Sequence, residues 1–457
     1  MTMQHKAIDS VGFPTTEILE PRVLSRPEHR LSRRDLSPEA IKVLYRLHRS
    51  GYQAFLVGGS VRDILLGRRP KDFDVATNAR PQEIRRLFRN SRIIGRRFRL
   101  VHVFFRGEII EVATFRASPE PPESPDDWEE AVEEAAEEAA EEEVADAPPL
   151  RHEEDVYGTP AEDARRRDFT VNAIFYNIAD FSIIDHVGGI NDLEARVIRT
   201  IGDPDQRFEE DPVRMMRALE YAVRLDFEVE ERTTNAIDRQ HALIAEASAP
   251  RLTYELLESL RSGVAAGIFK VWEKAGLFAD AFPDLPNERQ RTWRILDTVD
   301  SEVASGQHFT DASLLGGLYL PRFFELVKAC SAANGRVSND ELLAELRDLM
   351  APAGASMHLS NQTLHLMQQG LFTLTKMRQA PERGRQVVKL ARQEYFRVAW
   401  DLHGFAVALG LVSKEARSGW KKALDRVGKE ARPEQPVNAA EHQERRPRRR
   451  PRRRRRR

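Results

Sequence analysis

Apolar positions between residues 36 and 201 follow two different spacings, and together they predict a small mixed α/β domain. A spacing of two predicts strands in "AFLVGG", "DFDVAT" and both halves of "RLVHVFFRGEIIEVATFR", which turns at Gly107. Helical spacing predicts helices in "VRDILLG" and in "PQEIRRLF", where Pro81 suits the first helical position. "SPEAIKVLYRLHRSG" predicts an amphipathic helix that begins at the cap Ser37 and ends at Gly51.

The second half of the chain has a different pattern. "RRRDFTVNAIFYNI" suits a packed element, and "SIIDHVGGINDLEARVIRTIG" predicts a short strand with a turn. From "DPVRMMRALEYAVRLDF" onward the spacing is almost wholly helical, as in "RLTYELLESLRS" and "VAAGIFKVWEKAGLF". No repeat of fixed period is present, so we expect an irregular helical bundle.

Two opposite charge blocks interrupt this pattern. Residues 117–150 contain fourteen Asp or Glu and no Lys or Arg, whereas residues 445–457 contain eleven arginines. Without both blocks the net charge changes from −1 to +2, so the remainder is almost neutral. We expect the acidic block to be a mobile insertion, at most a marginal helix, with a role in solubility or in competing with RNA for the arginine tail. The tail is expected to bind phosphate backbones without reading sequence; the alternative is a solubility tail.

Composition excludes several classes of protein. At 457 residues with 41% hydrophobic content, the chain can form two or more soluble domains. Its one cysteine, Cys330, excludes an intramolecular disulfide, and no long apolar run or secretion signal is present, so we expect a cytoplasmic protein. P-loop and dinucleotide-binding glycine motifs are absent, and the histidines show no zinc spacing. His102 is interpreted as a hydrogen-bonded core residue.

The stretch "LVGGSVRDILLGRRPKDFDV" combines two kinds of candidate site. Gly58, Gly59 and Ser60 follow a predicted strand and open a predicted helix, where exposed amides attract phosphate. Asp72 and Asp74 flank one phenylalanine, so on a strand they share a face while the phenylalanine points into the core. Two adjacent carboxylates repel each other, and a divalent cation on oxygen ligands relieves the repulsion.

Glu111, in "EIIEVATFR", is a third candidate carboxylate. Alone it would be interpreted as a polar residue on an exposed strand face. With Asp72 and Asp74 in the same small sheet, it completes an oxygen-rich pocket able to hold two Mg²⁺ roughly 3.5–4 Å apart, which stabilises in-line displacement at phosphorus.

Four stretches in order, namely the glycine and aspartate stretch, the Glu111 strand, "RRRDFT" and "EDPVRMMRA", resemble the class II nucleotidyltransferase superfamily. That superfamily contains bacterial poly(A) polymerases and CCA-adding tRNA nucleotidyltransferases. The resemblance covers residues 36–260, and the acidic insertion departs from it between the third carboxylate and "RRRDFT". It implies template-free addition of nucleotides to RNA 3′ ends with Mg²⁺ as cofactor.

The resemblance also implies a domain order. The expected parts are an irregular N-terminal extension at 1–35, an α/β nucleotidyltransferase head with a small mixed sheet at 36–201, an all-helical neck at 202–265, an all-helical body at 266–430, and a disordered arginine-rich tail at 431–457. Neck and body are expected to bind RNA together with the head and tail.

Positions in the matching motifs acquire roles from the resemblance. Asp168 would face the ribose, the arginines at 165–167 the triphosphate, and Asn172, one helical turn further, would share the face of Asp168. Asp211 is interpreted as an N-cap before Pro212 and, by resemblance, would contact the base edge together with Arg214; Arg217 projects from the same face. The full set of expected nucleotide-binding residues is Gly58, Gly59, Ser60, Arg62, Asp63, Arg165, Asp168, Asn172, Asp211, Arg214 and Arg217, and the expected catalytic residues are Asp72, Asp74, Glu111 and Asp168.

The stretch "LFRNSRIIGRRFRLVHVFF" is similar to the one that distinguishes bacterial poly(A) polymerases from CCA-adding enzymes. We therefore expect a monomeric enzyme that adds AMP from ATP to RNA 3′ ends and promotes RNA decay, with RNA-decay proteins as candidate partners and no membrane contact. The alternative is a CCA-adding enzyme. A distant alternative, a non-catalytic RNA-binding decay scaffold, is disfavoured because all three carboxylates and the glycine pair are present.

Overall fold

A computed structural model describes residues 20–95, 99–117, 157–334, 339–381 and 384–427. The beginning of the N-terminal extension, the acidic insertion beyond residue 117 and the arginine-rich tail lie outside the described residues. The expectations for those three segments therefore stay predictions.

The head is built on one mixed sheet of eight strands. The strands are β1 (Arg22–Leu24), β2 (Ala54–Val57), β3 (Asp74–Thr77), β4 (Ser91–Ile94), β5 (Leu100–Phe105), β6 (Glu108–Thr114), β7 (Ile174–Asn177) and β8 (Ile183–Asp185). Their order across the sheet is β1-β8-β7-β2-β3-β6-β5-β4. Only β3 and β6 are parallel neighbours among these strands; the other pairs are antiparallel. The predicted α/β head is confirmed.

Short helices surround the sheet. They are α1 (Pro38–Arg49), α2 (Gly59–Leu65), α3 (Pro81–Leu87), α4 (Pro160–Arg165) and α5 (Gly189–Ala195). The cap predicted for α1 forms, since Ser37 Oγ accepts a hydrogen bond from the Ala40 amide at 3.0 Å. Leu44 and Leu47 of this helix are fully buried in one core cluster with Leu56 of β2, so α1 covers one face of the sheet.

The described chain beyond the head is helical, as predicted, apart from one short strand within the expected neck. The helices are α6 (Pro204–Glu210), α7 (Val213–Leu225), α8 (Glu231–Gln240), α9 (Ala249–Leu260), α10 (Ala265–Lys274), α11 (Leu277–Ala281), α12 (Gln290–Ala304), α13 (Asp311–Leu318), α14 (Leu320–Asn334), α15 (Asn339–Ser356), α16 (Asn361–Met377), α17 (Gly384–Ala391), α18 (Phe396–Ala408) and α19 (Lys414–Val427). Two short strands, β9 (Val197–Ile198) and β10 (Glu228–Val229), form a separate parallel pair. The described helices include none that is both long and apolar enough to cross a bilayer.

Three local predictions were wrong. The N-terminal extension is not wholly irregular, because Arg22–Leu24 pairs antiparallel with β8 and forms an edge of the sheet. The strand predicted from "DFDVAT" begins only at Asp74, so Asp72 and Phe73 precede it. Gly189–Ala195 is a helix where only a strand and turn were predicted, since its buried residues are too few to show helical spacing clearly.

Helix α7 connects the head to the helical part. Arg68 of the head donates to the carbonyl oxygen of Arg224 at 2.7 Å and to that of Leu225 at 3.1 Å, at the end of α7. On another side of α7, the buried Trp272 donates its indole N–H to the Met216 carbonyl at 3.0 Å. The helix is thus held between the head and α10, and its first turns lie beside the head motifs.

Candidate active site

Three carboxylate residues lie near the start of β3. The parallel register of β3 and β6 places Asp74 directly beside Glu111, and Asp72 precedes the strand by two residues. Phe73 between the aspartates is 8% exposed and belongs to the main core cluster, as predicted from alternation. The half-buried Asp74 and the more exposed Asp72 and Glu111 therefore lie at one corner of the sheet.

The surroundings of Asp72 and Asp74 disfavour ionisation of their carboxyl groups. Burial, followed by the negative charges of Glu111 and Asp72, raises the pKa of Asp74 to about 6 against the opposing effect of Arg167. Partial burial also raises the pKa of Asp72, a shift that Lys71 counteracts. The cluster has more negative charge than the neighbouring cations neutralise.

The donor set suits a hard divalent cation. All three side chains offer carboxylate oxygens, the ligands that Mg²⁺ prefers, and a bound cation would relieve the repulsion that raises the Asp74 pKa. Within the described parts of the chain, no three His, Cys, Asp or Glu side chains are already arranged closely enough to hold a metal ion. The three side chains therefore fit Mg²⁺ by their chemistry, although they do not form a closed set of ligands in this structure.

The glycine pair allows close approach beside the carboxylates. Gly58 has φ +71°, which favours glycine, and a Cβ there would lie 3.3 Å from Arg167 Nη1 and 3.7 Å from Asp74 Oδ2. A Cβ on Gly59 would lie 3.4 Å from Arg62 Nη2. Ser60 is buried and its hydroxyl donates to the Val57 carbonyl at 2.9 Å, so only its backbone amide remains for a nucleotide.

Two of the three arginines at 165–167 contact Asp163, a residue that was not predicted to belong to the site. Asp163 is 1% exposed and accepts hydrogen bonds from both Arg166 and Arg167, at 2.8 Å and 3.1 Å. Burial opposes ionisation of Asp163, but the two arginines hold its pKa below the usual range. Arg167 is thereby fixed toward Asp74. Arg165 is exposed and lies near His186, so the structure does not bring it to the carboxylates.

Asp168, the residue expected to face the ribose, also holds several neighbouring groups in place. Its Oδ1 accepts from the Phe169 amide at 2.8 Å and from Asn172 Nδ2 at 3.1 Å, and its Oδ2 accepts from Arg217 Nη2 at 2.8 Å. Burial opposes its ionisation, yet the Arg217 guanidinium keeps the pKa of Asp168 below the usual range. Asn172 contacts Asp168, but the predicted helical turn between them was wrong, because only Thr170–Asn172 forms a short 3-10 turn.

The Arg62 and Asp63 pair joins α2 to the group around Asp168. Arg62 is 4% exposed, and its Nη1 donates to Asn172 Oδ1 at 2.5 Å while its Nη2 lies 2.8 Å from Asp63 Oδ1. The guanidinium also lies over the ring of Tyr221, 5.1 Å from the ring centre. Arg62 thus connects the glycine turn, the group around Asp168 and helix α7.

At the start of α7, the prediction of Asp211 as the N-cap was wrong, because Pro212 occupies the N-cap position and the regular helix begins at Val213. Asp211 Oδ1 accepts from the Val213 amide at 3.3 Å, and its Oδ2 accepts from Arg251 at 2.8 Å. Arg214 Nε lies 3.7 Å from the same Oδ2. A carboxylate and a guanidinium are therefore side by side, with acceptor and donor groups of the kind that a base edge requires.

Arg214 and Arg217 diverge despite their spacing. Arg214 Nη1 donates to the Arg207 carbonyl at 2.8 Å and to Glu210 at 2.9 Å, on the α6 side. Arg217 instead joins Asp168 to the buried Glu255 of α9, to which its Nη1 donates at 2.9 Å. Arg214 thus contacts α6, whereas Arg217 contacts the head and α9, so the two side chains do not act on a common face.

Arg207 and His102 also lie at the site, although neither was predicted to belong to it. Arg207 of α6 donates to the carbonyls of Arg166 and Arg167, at 2.7 Å and 2.9 Å, and so holds the arginine loop. His102 is half-buried, with Nε2 3.6 Å from Glu111 Oε2, so its interpretation as a core residue was wrong. Its position opposite Glu111 follows from the β5–β6 register, which a single strand pattern does not reveal.

The chain is similar to known families and proteins. The family described as "Poly A polymerase head domain" matches residues 54–199, and the one described as "Probable RNA and SrmB- binding site of polymerase A" matches residues 226–288. The chain is 36% identical to Poly(A) polymerase I of Escherichia coli O6:H1 over 390 residues, 83% of this chain and 80% of that protein. It is also 36% identical to the CCA-adding enzyme of Bacillus pumilus, over 250 residues, 55% of this chain and 56% of that one.

A solved structure of a tRNA-processing enzyme (apo form I) has the same fold, with a TM-score of 0.52 at 22% identity over 88% of this chain and 93% of that one. The match to Poly(A) polymerase I thus covers more than two thirds of both chains. The chain belongs to the bacterial poly(A) polymerase family of nucleotidyltransferases, whose members are polynucleotide adenylyltransferases.

Proposed function

We propose that the protein adds AMP from ATP to RNA 3′ ends without a template and releases pyrophosphate. The observation that carries this proposal is the pairing of Asp74 with Glu111 in adjacent parallel strands, with Asp72 two residues earlier. These acids lie beside a glycine turn and a fixed guanidinium, that of Arg167. Carboxylates next to phosphate-binding groups are what transfer of a nucleotidyl group requires.

Asp72, Asp74 and Glu111 would hold two Mg²⁺. When bound, such ions supply Lewis acidity that activates the RNA 3′-hydroxyl and neutralises the departing pyrophosphate. Arg167 and the amides after Gly58 would bind the triphosphate of ATP and orient its α-phosphorus for in-line attack.

The base and ribose would be bound between head and neck. Asp211 and Arg214 would read the base edge with one acceptor and one donor, which replaces a nucleic-acid template. Asp168 would face the ribose; since Arg217 and Asn172 already occupy its oxygens, we propose that it acts chiefly by fixing these two groups.

The choice between the two relatives rests on how far each similarity extends. At equal identity, the match to Poly(A) polymerase I covers 83% of the chain and the match to the CCA-adding enzyme covers 55%. The longer match therefore favours the polymerase. CCA addition is the second candidate because its enzymes share the catalytic part.

A product assay separates the two activities. The purified full chain is incubated with Mg²⁺ and a non-tRNA oligoribonucleotide, with ATP or CTP in parallel reactions. We expect long adenosine tails from ATP. Products that require tRNA and CTP and stop after three additions would instead establish the CCA-adding activity.

We further propose a cytoplasmic role in which the added tails promote RNA decay, with RNA-decay proteins as partners. The single cysteine suits a reducing compartment. Comparison of RNA half-lives in cells with and without the gene, together with localisation of the tagged protein, tests both parts of this proposal.

A further inference from the structure

A basic pocket lies at the edge of the head, apart from the active site. This cavity of about 410 Å³, here named the edge pocket, is lined by Arg26, Ser32, Arg33, Arg34, Tyr176 and Phe181. The arginines and Ser32 come from the short segment between β1 and α1, and the aromatic residues come from β7 and the turn that follows it.

The strand register places the edge pocket on the opposite face of the sheet from the carboxylates. Val57 pairs with both Asp74 and Phe175, whereas its neighbour Leu56 pairs with Tyr176. Because cross-strand partners share a face and successive residues alternate, Tyr176 faces away from Asp74. A ligand in the edge pocket would therefore not contact the proposed catalytic groups.

Three guanidinium groups surround the edge pocket. In the described part of the chain, Arg26, Arg33 and Arg34 form no ion pair within 4.0 Å. Arg26 donates to the His29 carbonyl at 3.0 Å, and Arg34 has no side-chain partner among the described residues.

The nearby carboxylates are already used by the backbone. Glu28 accepts from the Ser25 amide and Asp35 from the Ser32 amide, both at 2.8 Å, and Asp180 accepts from the Ser182 amide at 3.0 Å. Each of these acids caps its own turn, and none of them lines the edge pocket. The lining therefore carries three positive charges and no negative charge.

Two features indicate a ligand rather than a solvated basic surface. Arg33 is held in place, since its Nη1 donates to Tyr45 Oη at 2.8 Å and its guanidinium stacks on Phe181, 4.8 Å from the ring centre. Tyr176 is completely buried, and its hydroxyl has no hydrogen-bond partner within the described chain. A buried hydroxyl without a partner is costly and is expected to be satisfied by a water or a ligand oxygen.

We propose that the edge pocket is a second phosphate-binding site, which takes a phosphate group of RNA or of a small phosphate ligand. Guanidinium groups donate two parallel hydrogen bonds to phosphate oxygens, and three of them exceed the charge of a single carboxylate ligand. A phosphate oxygen that enters between the arginines also supplies the missing partner for Tyr176. This site goes beyond the proposed polymerase activity and does not depend on it.

Hydrogen–deuterium exchange on the full chain tests the proposal without ATP or Mg²⁺. Inorganic phosphate and a short oligoadenylate are titrated separately, and exchange is followed in residues 22–36. We expect slower exchange there with at least one probe. An effect of both probes supports a site for any phosphate group, and an effect of oligoadenylate alone supports the RNA backbone as its source.

Variants show whether the effect arises in the edge pocket. Arg34→Ala is expected to weaken half-maximal protection at least about tenfold, the lower range for a hydrogen bond to a charged group, and R26A/R34A to abolish it. Tyr176→Phe should weaken binding while the melting temperature is kept, because its hydroxyl has no bond to lose. Arg86→Ala removes an exposed head arginine outside the pocket and should change nothing.

The proposal is overturned if neither probe slows exchange in residues 22–36, or if the R26A/R34A variant retains the protection. Retained protection would show that phosphate acts elsewhere on the chain. Because ATP and Mg²⁺ are left out, no catalysis takes place in this experiment, and its failure leaves the proposed polymerase activity untouched.

Discussion

Ionisation of the Asp74 carboxyl group is less favourable in the folded chain than in the unfolded chain. Burial, together with Glu111 and Asp72, raises its pKa from the ordinary 3.8 to about 6. An acid whose folded pKa lies above its unfolded pKa destabilises the fold once it ionises. The cost is absent below pH 3.8, grows as the pH rises and is complete above about pH 6, unless a cation binds.

Asp74→Asn separates this cost from the catalytic contribution. Without divalent cations at pH 7, we expect the variant to be more stable than the parent by about 1–3 kcal/mol, because the ionised carboxylate is removed. The difference should largely vanish at about pH 3, where Asp74 is mostly protonated in both states. Thermal melts at both pH values, in the presence of EDTA, measure it.

The same variant should lose nucleotide addition by at least about 10²–10³-fold, the range for removal of one preorganised electrostatic group. Primer extension with ATP and Mg²⁺ measures the rate. Asp226→Asn, at an exposed left-handed position, is the matched control and should keep parental activity. Parental activity of Asp74→Asn would remove this residue from the proposed metal site.

At the scale of elements, helix α7 joins the head to the helices that follow. Arg217 lies between Asp168 of the head and the buried Glu255 of α9, and its pKa is raised because these partners and Tyr221 outweigh burial. Removal of a guanidinium held by two acids leaves both without their shared cation. One side chain therefore couples three segments.

Arg217→Met should lower the free energy of unfolding by about 3–5 kcal/mol, the cost of breaking a buried charge pair from one side. Arg217→Lys should recover only part of this loss, since an ammonium cannot reproduce the two-pronged guanidinium contact. Denaturant midpoints measure the effect. Arg232→Ala, with an exposed pair at 4.0 Å, is the control at about 0.5 kcal/mol or less. Equal midpoints for the Met variant and this control would contradict the coupling.

Helix α18 contains a group with the opposite pH response. His403 is completely buried, and burial, with a smaller effect of Arg417, lowers its pKa to about 4. Its Nε2 lies 3.0 Å from the Met377 carbonyl, so the neutral ring donates there. Since the unfolded histidine has a pKa of 6.5, its contribution to stability is full above that pH and is lost as the pH falls to about 4.

Between pH 7 and pH 5, this residue should reduce the stability of the parent by about 2 kcal/mol relative to His403→Gln, whose amide does not titrate. Denaturant unfolding of both proteins at the two pH values measures the difference, and the change common to both cancels. A parent and variant that lose stability equally would show that His403 does not titrate as expected.

At the scale of the whole molecule, the arginine-rich tail is expected to act through proximity. It follows "ARPEQPVNAAEHQE", a proline-containing linker, and so is not expected to reach a defined pocket. A tether of this kind raises the local concentration of positive charge near any RNA bound to the head.

Deletion of residues 445–457 should weaken RNA binding and reduce its salt dependence, with ATP affinity unchanged. Each arginine on a single-stranded phosphate contributes roughly 0.7 to the slope of log affinity against log salt, so half the tail would change it by about four units. Anisotropy titrations from low to physiological salt measure this slope. Identical slopes for the full and the truncated chain would show that the tail does not bind RNA, and a protein partner or the acidic insertion would then become its expected target.

Local patterns were sufficient for much of the fold and for the candidate motifs. The α1 cap at Ser37, the turn at Gly107 and the burial of Phe73 follow from nearest neighbours in the sequence and from alternation, so they could be predicted. The carboxylates Asp72 and Asp74 were found in the same way. Their chemistry depends on residue type and on short-range spacing.

Contacts between distant segments could not be predicted in this way. The neighbour of Asp74 is Glu111 because two strands pair in one register, and a shift of one residue would turn Glu111 to the other face. Arg167 rather than Arg165 faces Asp74 because the buried Asp163 fixes it. Such choices depend on packing between segments far apart along the chain, where small free-energy differences select one partner among several chemically equivalent ones.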